Sequence, residues 1–446
     1  MGTIGFVCVA HEDYLANGAI RKISEDAAAS LIATGVDLRV VSMPITTSAQ
    51  AVEAGRHLLT SFVDGVIIFL GSWVECPVVM SVIRELEHLP LCMWGFPVFQ
   101  QNDVSVNTGS YVSFAMLNGS LSRAGYQYIA VLGTSNSKDA VDEVKAFCGA
   151  ATVSRRLRYS KIGLIGYTSM GIYPGTFDHL FMRTRIGPEI EHIDTYSLLK
   201  AAEEIGDNLC EPVISRLRSL ARIRDDVDPA DLCKVSRMYL AMKELCESKD
   251  LCALNIKCQY ELSKEYGMTP CIPLSLLADS GIAVTCEGDT LNMVSLLMLS
   301  LLSNNVCAYG DALTHHGNVL TLSPCGFMPY SICDNCEICR FTSPGFRGLH
   351  NNCVMRPERV TVMRLVEDVG TYHMLYFIGS GQPTKPRDGR FPSLDVLLDG
   401  DINQLVRSYA GQHFAICYGD YSSHLECLST ILGIKTARVC KARELT

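Results

Sequence analysis

The stretch CEGDTLNMVSLLMLSLLSNNVCAYGD, Cys286 to Asp311, sets one carboxylate at each end of an almost wholly apolar segment. Ile282–Cys286 is a short β-type run. Asp289 or Thr290 can cap a helix start, and Leu291 to Leu302, nearly all Leu, Met and Val, suits a helix buried on most sides. Ser303, Asn304 and Asn305 stop it, and Val306–Tyr309 reads as a second strand with Gly310 and Asp311 at its C-terminal end. A helix of about fourteen residues advances about 20 Å, and a strand of about six returns the same distance. The segment therefore reads as strand, helix, parallel strand. Parallel strands end on one edge, where open α/β sheets bind ligands, and if the two strands are neighbours Glu287 and Asp311 face one pocket. Such a pair suits a divalent cation, or an acid and a base sharing one substrate. Two solvated or capping carboxylates are the alternative.

The rest of the chain narrows the choice. Its 446 residues are too many for one ordinary core, so two or three domains are expected. A net charge of -9 without a basic cluster argues against nucleic acid or an anionic membrane as partner. The start, MGTIGFVCVA, lacks the basic and long apolar parts of a signal peptide and reads as a first strand. The apolar stretch DGVIIFLGSWVECPVVM carries Asp64 and Glu75 and is broken by Gly and Pro, unlike a membrane span. A soluble, cytoplasmic protein is expected. Its 20 cysteines then read as reduced thiols packed as small apolar side chains. The run CDNCEICR, with Cys333, Cys336 and Cys339, has the spacing of a zinc or iron-sulfur site, but no histidine stands at finger spacing.

From Thr3 to about Gly166 strand-like runs (TIGFVCVA, DLRVVSMP, DGVIIFL, LCMWG, YIAVLG, KIGLIG) alternate with amphipathic helical stretches, the pattern of parallel sheets with helices on their faces. The expected layout is a Rossmann-like α/β domain over residues 1–155, a second over 156–302, and a mostly β, barrel-like domain over 303–446, where RVTVMRLVEDVG and TYHMLYFIGSG read as an antiparallel hairpin. Gly163, Gly166 and Gly171 do not form G-x-G-x-x-G and no P-loop is present, so no nucleotide cofactor is expected. Gly379 and Gly381 read as turn glycines. His315 and His316, just after Asp311, and His413, opening a strand in AGQHFAICYGD, are the histidines within reach of a carboxylate pair.

Five blocks carry a resemblance. KIGLIGYTSMGIYPGTFD, GPEIEHIDTY, IKCQYEL, the segment quoted first and HFAICYGDYSSHLECLSTILGI are similar, in this order, to successive blocks of the L-fucose isomerase and L-arabinose isomerase superfamily, closer to the fucose side. They span about the last two-thirds of the chain, and the first third resembles the family only in pattern and in GSWVECPVVM. The resemblance implies two Rossmann-like domains followed by a β-rich one, assembled as hexamers with sites at subunit contacts. It implies a divalent cation, usually Mn2+ with Mg2+ as the alternative, held by Glu287, Asp311 and His413. Gln259 would meet the sugar hydroxyls, and Trp73 would reach into a neighbouring subunit's site. The chain is shorter than typical fucose isomerases, and the Cys333–Cys339 run is not a family signature.

The reaction so implied turns an open-chain aldose into its ketose through a cis-enediol, with Glu287 and Asp311 sharing the proton transfers. The sugar is either neutral, such as L-fucose, D-arabinose or L-arabinose, or anionic at its far end. In GQPTKPRDGRFP, Lys385, Arg387 and Arg390 would face such an anion, for instance the sulfonate of sulfoquinovose, unless they form a solvated basic loop. A non-catalytic sugar sensor and a redox protein built on the cysteine run are the rival classes.

Overall fold

The computed structural model describes residues 2–15, 18–101, 104–168, 171–342, 345–385 and 391–440. Two compact units divide the chain: residues 1–156 with 423–433, and residues 157–422 with 434–446. In the first unit the apolar runs form β1 (Thr3–Val9), β2 (Asp37–Val40), β3 (Gly65–Leu70), β4 (Leu91–Gly95) and β5 (Ile129–Leu132). All are parallel, in the order β2-β1-β3-β4-β5. Burial on both faces explains why β1 and β3 read as continuous apolar runs rather than alternating ones.

The second unit opens with β6 (Lys161–Ile165), β7 (Glu189–Ile193), β8 (Ala253–Ile256) and β9 (Ala283–Cys286), again all parallel. Their order, β9-β8-β6-β7, repeats the 2-1-3-4 winding of the first sheet. Sheets wound this way bind ligands outside the C-terminal ends of their strands, and β9 delivers Glu287 to that edge.

Next come β10 (Ala308–His316), β11 (Val319–Ser323), β12 (Cys333–Arg340), β13 (Leu349–Met355), β14 (Arg359–Asp368), β15 (Thr371–Gln382), β16 (Leu394–Leu398), β17 (His413–Tyr418) and β18 (Lys435–Arg438). The order β14-β17-β10-β11-β16-β15 closes through a β14–β15 pairing into an antiparallel six-stranded barrel, with β18 added in parallel to β15. Closure removes the free edges an open sheet would present. Val360, Val362, Phe377, Leu394, Val396, Phe414 and Ile416 are buried together in its core. The strands β12 and β13 pair outside the barrel.

The Thr290–Ser303 helix joins the second sheet to the barrel, and every residue from Thr290 to Leu299 is buried. Asn304, at φ 52°, ends it in the left-handed conformation, with its N–H bonded to the Ser300 carbonyl. The parallel return strand expected after this helix does not exist. The strand β10 starts at Ala308 and runs antiparallel to β11 and β17, so Asp311 lies inside a barrel strand rather than at the end of a parallel one. Helix length and strand length fix only how far the chain travels, and the choice of hydrogen-bonding partner fell to the barrel. Gly379 and Gly381 also differ from expectation. They lie within β15, where an added Cβ would meet Val396 Cγ1 at 2.5 Å and Glu358 N at 2.9 Å, so close strand approach accounts for them. Among the described residues no helix is long and apolar enough to cross a membrane.

Leu296 faces this packed junction at 1 % exposure. Leu296→Ala is expected to cost about 2–5 kcal/mol in urea denaturation. Leu180→Ala, at a position 72 % exposed, should stay within about 0.5 kcal/mol of the parent.

Candidate functional site

The chain leaves β9 through two left-handed residues, Glu287 at φ 67° and Gly288 at φ 69°. Glycine takes that conformation freely, whereas at Glu287 it costs about 1–3 kcal/mol. The turn breaks the up-down alternation of the strand and brings the Glu287 carboxylate and the Cys286 sulfur within reach of each other. The next residue, Asp289, caps the Thr290–Ser303 helix, its Oδ1 accepting from the Asn292 N–H at 3.0 Å. Its Oδ2 accepts from Arg364 Nη1 and bonds His413 Nδ1, both at 2.8 Å.

His413 and Asp311 stand directly opposite each other on β17 and β10. With Nδ1 held by Asp289, the ring aims Nε2 at the two other carboxylates: Glu287 Oε2 lies at 3.3 Å and Asp311 Oδ1 at 3.2 Å. Neither approach has hydrogen-bond alignment, and Nε2 is fully buried without a hydrogen-bond partner. The His413 and Asp289 side chains are 0 % exposed, while that of Asp311 is 26 % exposed and forms the open side of the cluster.

Burial pushes the Glu287 carboxyl up to about 7, with the His413 ring pulling the other way. At Asp289 burial also opposes ionisation, but the Arg364 guanidinium and the His413 ring outweigh it and hold the carboxyl down at about 2. Burial by itself would lower the His413 pKa; the carboxylates of Asp289, Asp311 and Glu287 raise it well above the usual range instead. Arg364 is 0 % exposed and also donates to the carbonyls of His413 at 3.0 Å and Pro174 at 2.7 Å. Two glycines make room: a Cβ on Gly411, at φ +153°, would lie 2.5 Å from Arg364 Cζ, and one on Gly175 would lie 2.8 Å from Asp289 Cα.

The structure thus brings Glu287, Asp311 and His413 together. Gln259 lies just past β8, whose Ile256 pairs with Cys286, so it stands at the same sheet edge as Glu287. Lys257, two residues before it, is a buried cation held by Glu261 at 2.7 Å. Trp73 belongs to the first unit, where its ring lies 5.2 Å from that of His11. Lys385 is exposed, and Arg387 and Arg390 fall outside the described residues. His315 and His316 do not join the cluster, being exposed at the far end of β10. Cys333, Cys336 and Cys339 are spread along the strand β12, and the six residue steps from the first to the last span about 20 Å. They cannot converge on one ion.

The residues missed from sequence are Arg364 and the second role of Asp289. Asp289 reads as a helix cap, and one carboxylate oxygen does only that. Arg364 carried a signal: a lone cation in the middle of the apolar run VTVMRLV demands a buried counter-charge.

No family model matches the chain. Curated proteins do. Sulfoquinovose isomerase from Clostridium sp. (strain MSTE9) is 24 % identical over 80 % of this chain and 82 % of its own length. The proteins of that name from Alkalicoccus urumqiensis and Priestia megaterium are each 20 % identical, over 89 % and 70 % of this chain and 91 % and 71 % of their own lengths. These matches support a sugar-isomerase family. The chain is an enzyme, an intramolecular oxidoreductase of the aldose-ketose type. The sensor and redox classes fall away with that. Likenesses to solved structures are remote: a tagatose-bound solute-binding protein from Agrobacterium vitis is 11 % identical at a TM-score of 0.18, covering 69 % of this chain and 90 % of its own.

Removing Arg364 strands the Asp289 carboxylate in the interior. Arg364→Met is expected to destabilise the protein by about 3–5 kcal/mol. Arg364→Lys should recover only part of this, because one ammonium cannot span three acceptors as a guanidinium does. Denaturant midpoints of the two variants against the parent check both.

Proposed function

We propose that the chain interconverts an open-chain aldose and its 2-ketose through a cis-enediol, with a divalent cation, Mn2+ or Mg2+, at Glu287, Asp311 and His413. The observation that carries this reading is the convergence of two carboxylate oxygens on the partnerless Nε2 of His413.

The residues fit a cation. Adjacent donors in an octahedral shell with bonds of about 2.1–2.3 Å stand about 3 Å apart, near the 3.2 and 3.3 Å found. A histidine ligand whose second nitrogen is fixed by a carboxylate is a recurring arrangement in metal sites, and Asp289 supplies that carboxylate. The oxygen-rich set favours Mn2+ or Mg2+ over Zn2+. When bound, such a cation lends Lewis acidity to the sugar's carbonyl end and holds two adjacent sugar oxygens.

The chain's own groups do the rest. Asp311 lies on the open side, so the sugar enters past it. One of Glu287 and Asp311 takes the C2 proton and the other moves the proton between O1 and O2, a division of labour two carboxylates on one site can sustain. Asp289 does not touch the sugar; it fixes the ring and tautomer of His413. Gln259, at the same sheet edge, would meet the sugar hydroxyls.

For the substrate we propose sulfoquinovose, the sugar named in the relatives, with Lys385, Arg387 and Arg390 as the cationic partners of its sulfonate. The kinship with L-fucose isomerase, the hexamer, the entry of Trp73 into a neighbour's site and a cytoplasmic location rest on the sequence reading alone and are proposed on that basis.

The test is aldose-to-ketose conversion by chelator-stripped protein, with and without Mn2+, on sulfoquinovose, L-fucose, D-arabinose and L-arabinose. Mn2+-dependent turnover is expected, with kcat/KM highest on sulfoquinovose. Glu287→Gln and Asp311→Asn should each lose at least about 100-fold in kcat. In deuterated water the ketose should carry solvent deuterium at C1; a product without it would mean hydride transfer and end the enediol reading. Turnover unaffected by chelation and reloading would end the cation reading.

Asp289→Asn keeps the helix cap but alters the partner of His413. It is expected to weaken Mn2+ binding by about 10–100-fold, read by the electron paramagnetic resonance signal of free Mn2+.

A further inference from the structure

Beside Glu287 lies a group of thiols that the proposed reaction does not use. Cys258 follows β8, Cys286 ends β9, and Cys325 follows β11. The three thiols are near enough to shift one another's ionisation. Cys325 Sγ donates to Glu287 Oε1 at 3.2 Å. The sulfurs of Cys258 and Cys286 and a carboxylate oxygen of Glu287 all lie within 4.8 Å of one another. Cys258, Cys286 and Glu287 are buried, and Cys325 is half-buried.

We infer that Cys258, Cys286 and Cys325, with Glu287 as the fourth donor, form a second cation site, selective for a thiophilic ion such as Zn2+ or Cd2+, and that filling it takes Glu287 from His413 and Asp311. Three features carry this. The donor count and type are those of a closed tetrahedral site, three sulfurs and one oxygen, in which sulfurs at about 2.3 Å from the ion stand about 3.8 Å apart. The left-handed turn at Glu287 lets two consecutive residues serve one ion, which an extended strand would forbid. The Tyr309 hydroxyl lies 2.7 Å from Cys286 Sγ and can donate to the thiolate that binding creates. Each thiol gives its proton to solvent on binding, and no electron moves. Soft thiolates select against Mn2+ and Mg2+, so the two sites discriminate between ions while sharing one carboxylate. The thiol site stands on its own geometry; its effect on turnover rests on the isomerase reading above.

The test titrates Cd2+ into the full chain and follows sulfur-to-metal charge-transfer absorption. A Cys210→Ser, Cys417→Ser, Cys353→Ser background removes further close thiols: Cys210 with Cys233, whose sulfurs lie 2.6 Å apart, Cys307 with Cys417, and Cys353 with Cys333 and Cys336. One equivalent is expected to saturate the band, and Cys258→Ser, with Cys325→Ala as a second variant, should weaken binding at least tenfold. Asp311→Asn, which dismantles only the first site, should leave the band intact. Absence of the band, or its persistence in both cysteine variants, overturns the site. Free Mn2+ is then read by paramagnetic resonance with and without Zn2+. Zn2+ should weaken Mn2+ binding at least tenfold in the parent and not in Cys258→Ser. Equal displacement in both proteins would place Zn2+ in the first site and overturn the sharing of Glu287. Failure of Mn2+ to bind without Zn2+ would sink the cation reading at Glu287, Asp311 and His413 and leave the Cd2+ band to decide the thiol site.

Discussion

One buried carboxylate, Asp289, is the constraint on which the second unit depends. It caps the helix between sheet and barrel, neutralises the buried Arg364 and fixes the ring of His413. Those partners belong to three separate segments: the helix, β14 and β17. An ionised group at 0 % exposure survives only when its lone pairs are satisfied, so the three segments must meet in one arrangement or leave a charge without a partner. The cost of being wrong sets the register of the site. Once Asp289 is satisfied, Nε2 of His413 has one direction left, and Glu287 and Asp311 lie in it.

The pair of carboxylates was legible because both flank one recognisable helix, and that helix, its cap at Asp289 and its stop at Asn304 all appear where the local chemistry puts them. The reason given for their meeting was wrong. Parallel neighbours were expected; instead Glu287 comes from a sheet edge and Asp311 from an antiparallel barrel strand, across from His413. Local spacing encodes distances along the chain, whereas strand partners are chosen by long-range packing. The hairpin of β14 and β15 was legible from its tight turn at Val369 and Gly370. Barrel closure was not, since nothing near β14 announces that β17 will pair on its other side.

The cysteines divide along the same line. The run Cys333–Cys339 has motif spacing but belongs to a strand, which carries Cys339 away while Cys333 and Cys336 turn to Cys353 on the neighbouring strand. Cys258, Cys286 and Cys325 have no motif spacing, yet two parallel strands and a barrel loop bring them together. Spacing in sequence predicts a cluster only where the backbone folds back on itself within the motif.

The chain's path has a consequence for its synthesis. The first unit takes in residues 423–433, a helical stretch in which His424 packs against Gly149 and the turn at Gly433 meets Gln127. A chain made from its N-terminus therefore produces the first parallel sheet early but lacks one of its covering helices until residues 423–433 have been added. Until then that sheet leaves apolar surface open, a state exposed to association with other chains. Residues 157–422 of the second unit, with all six barrel strands, are made in that interval. Translation order and assembly order are thus separated in this protein, and the closure of its first-made part waits on a helix made after the barrel strands.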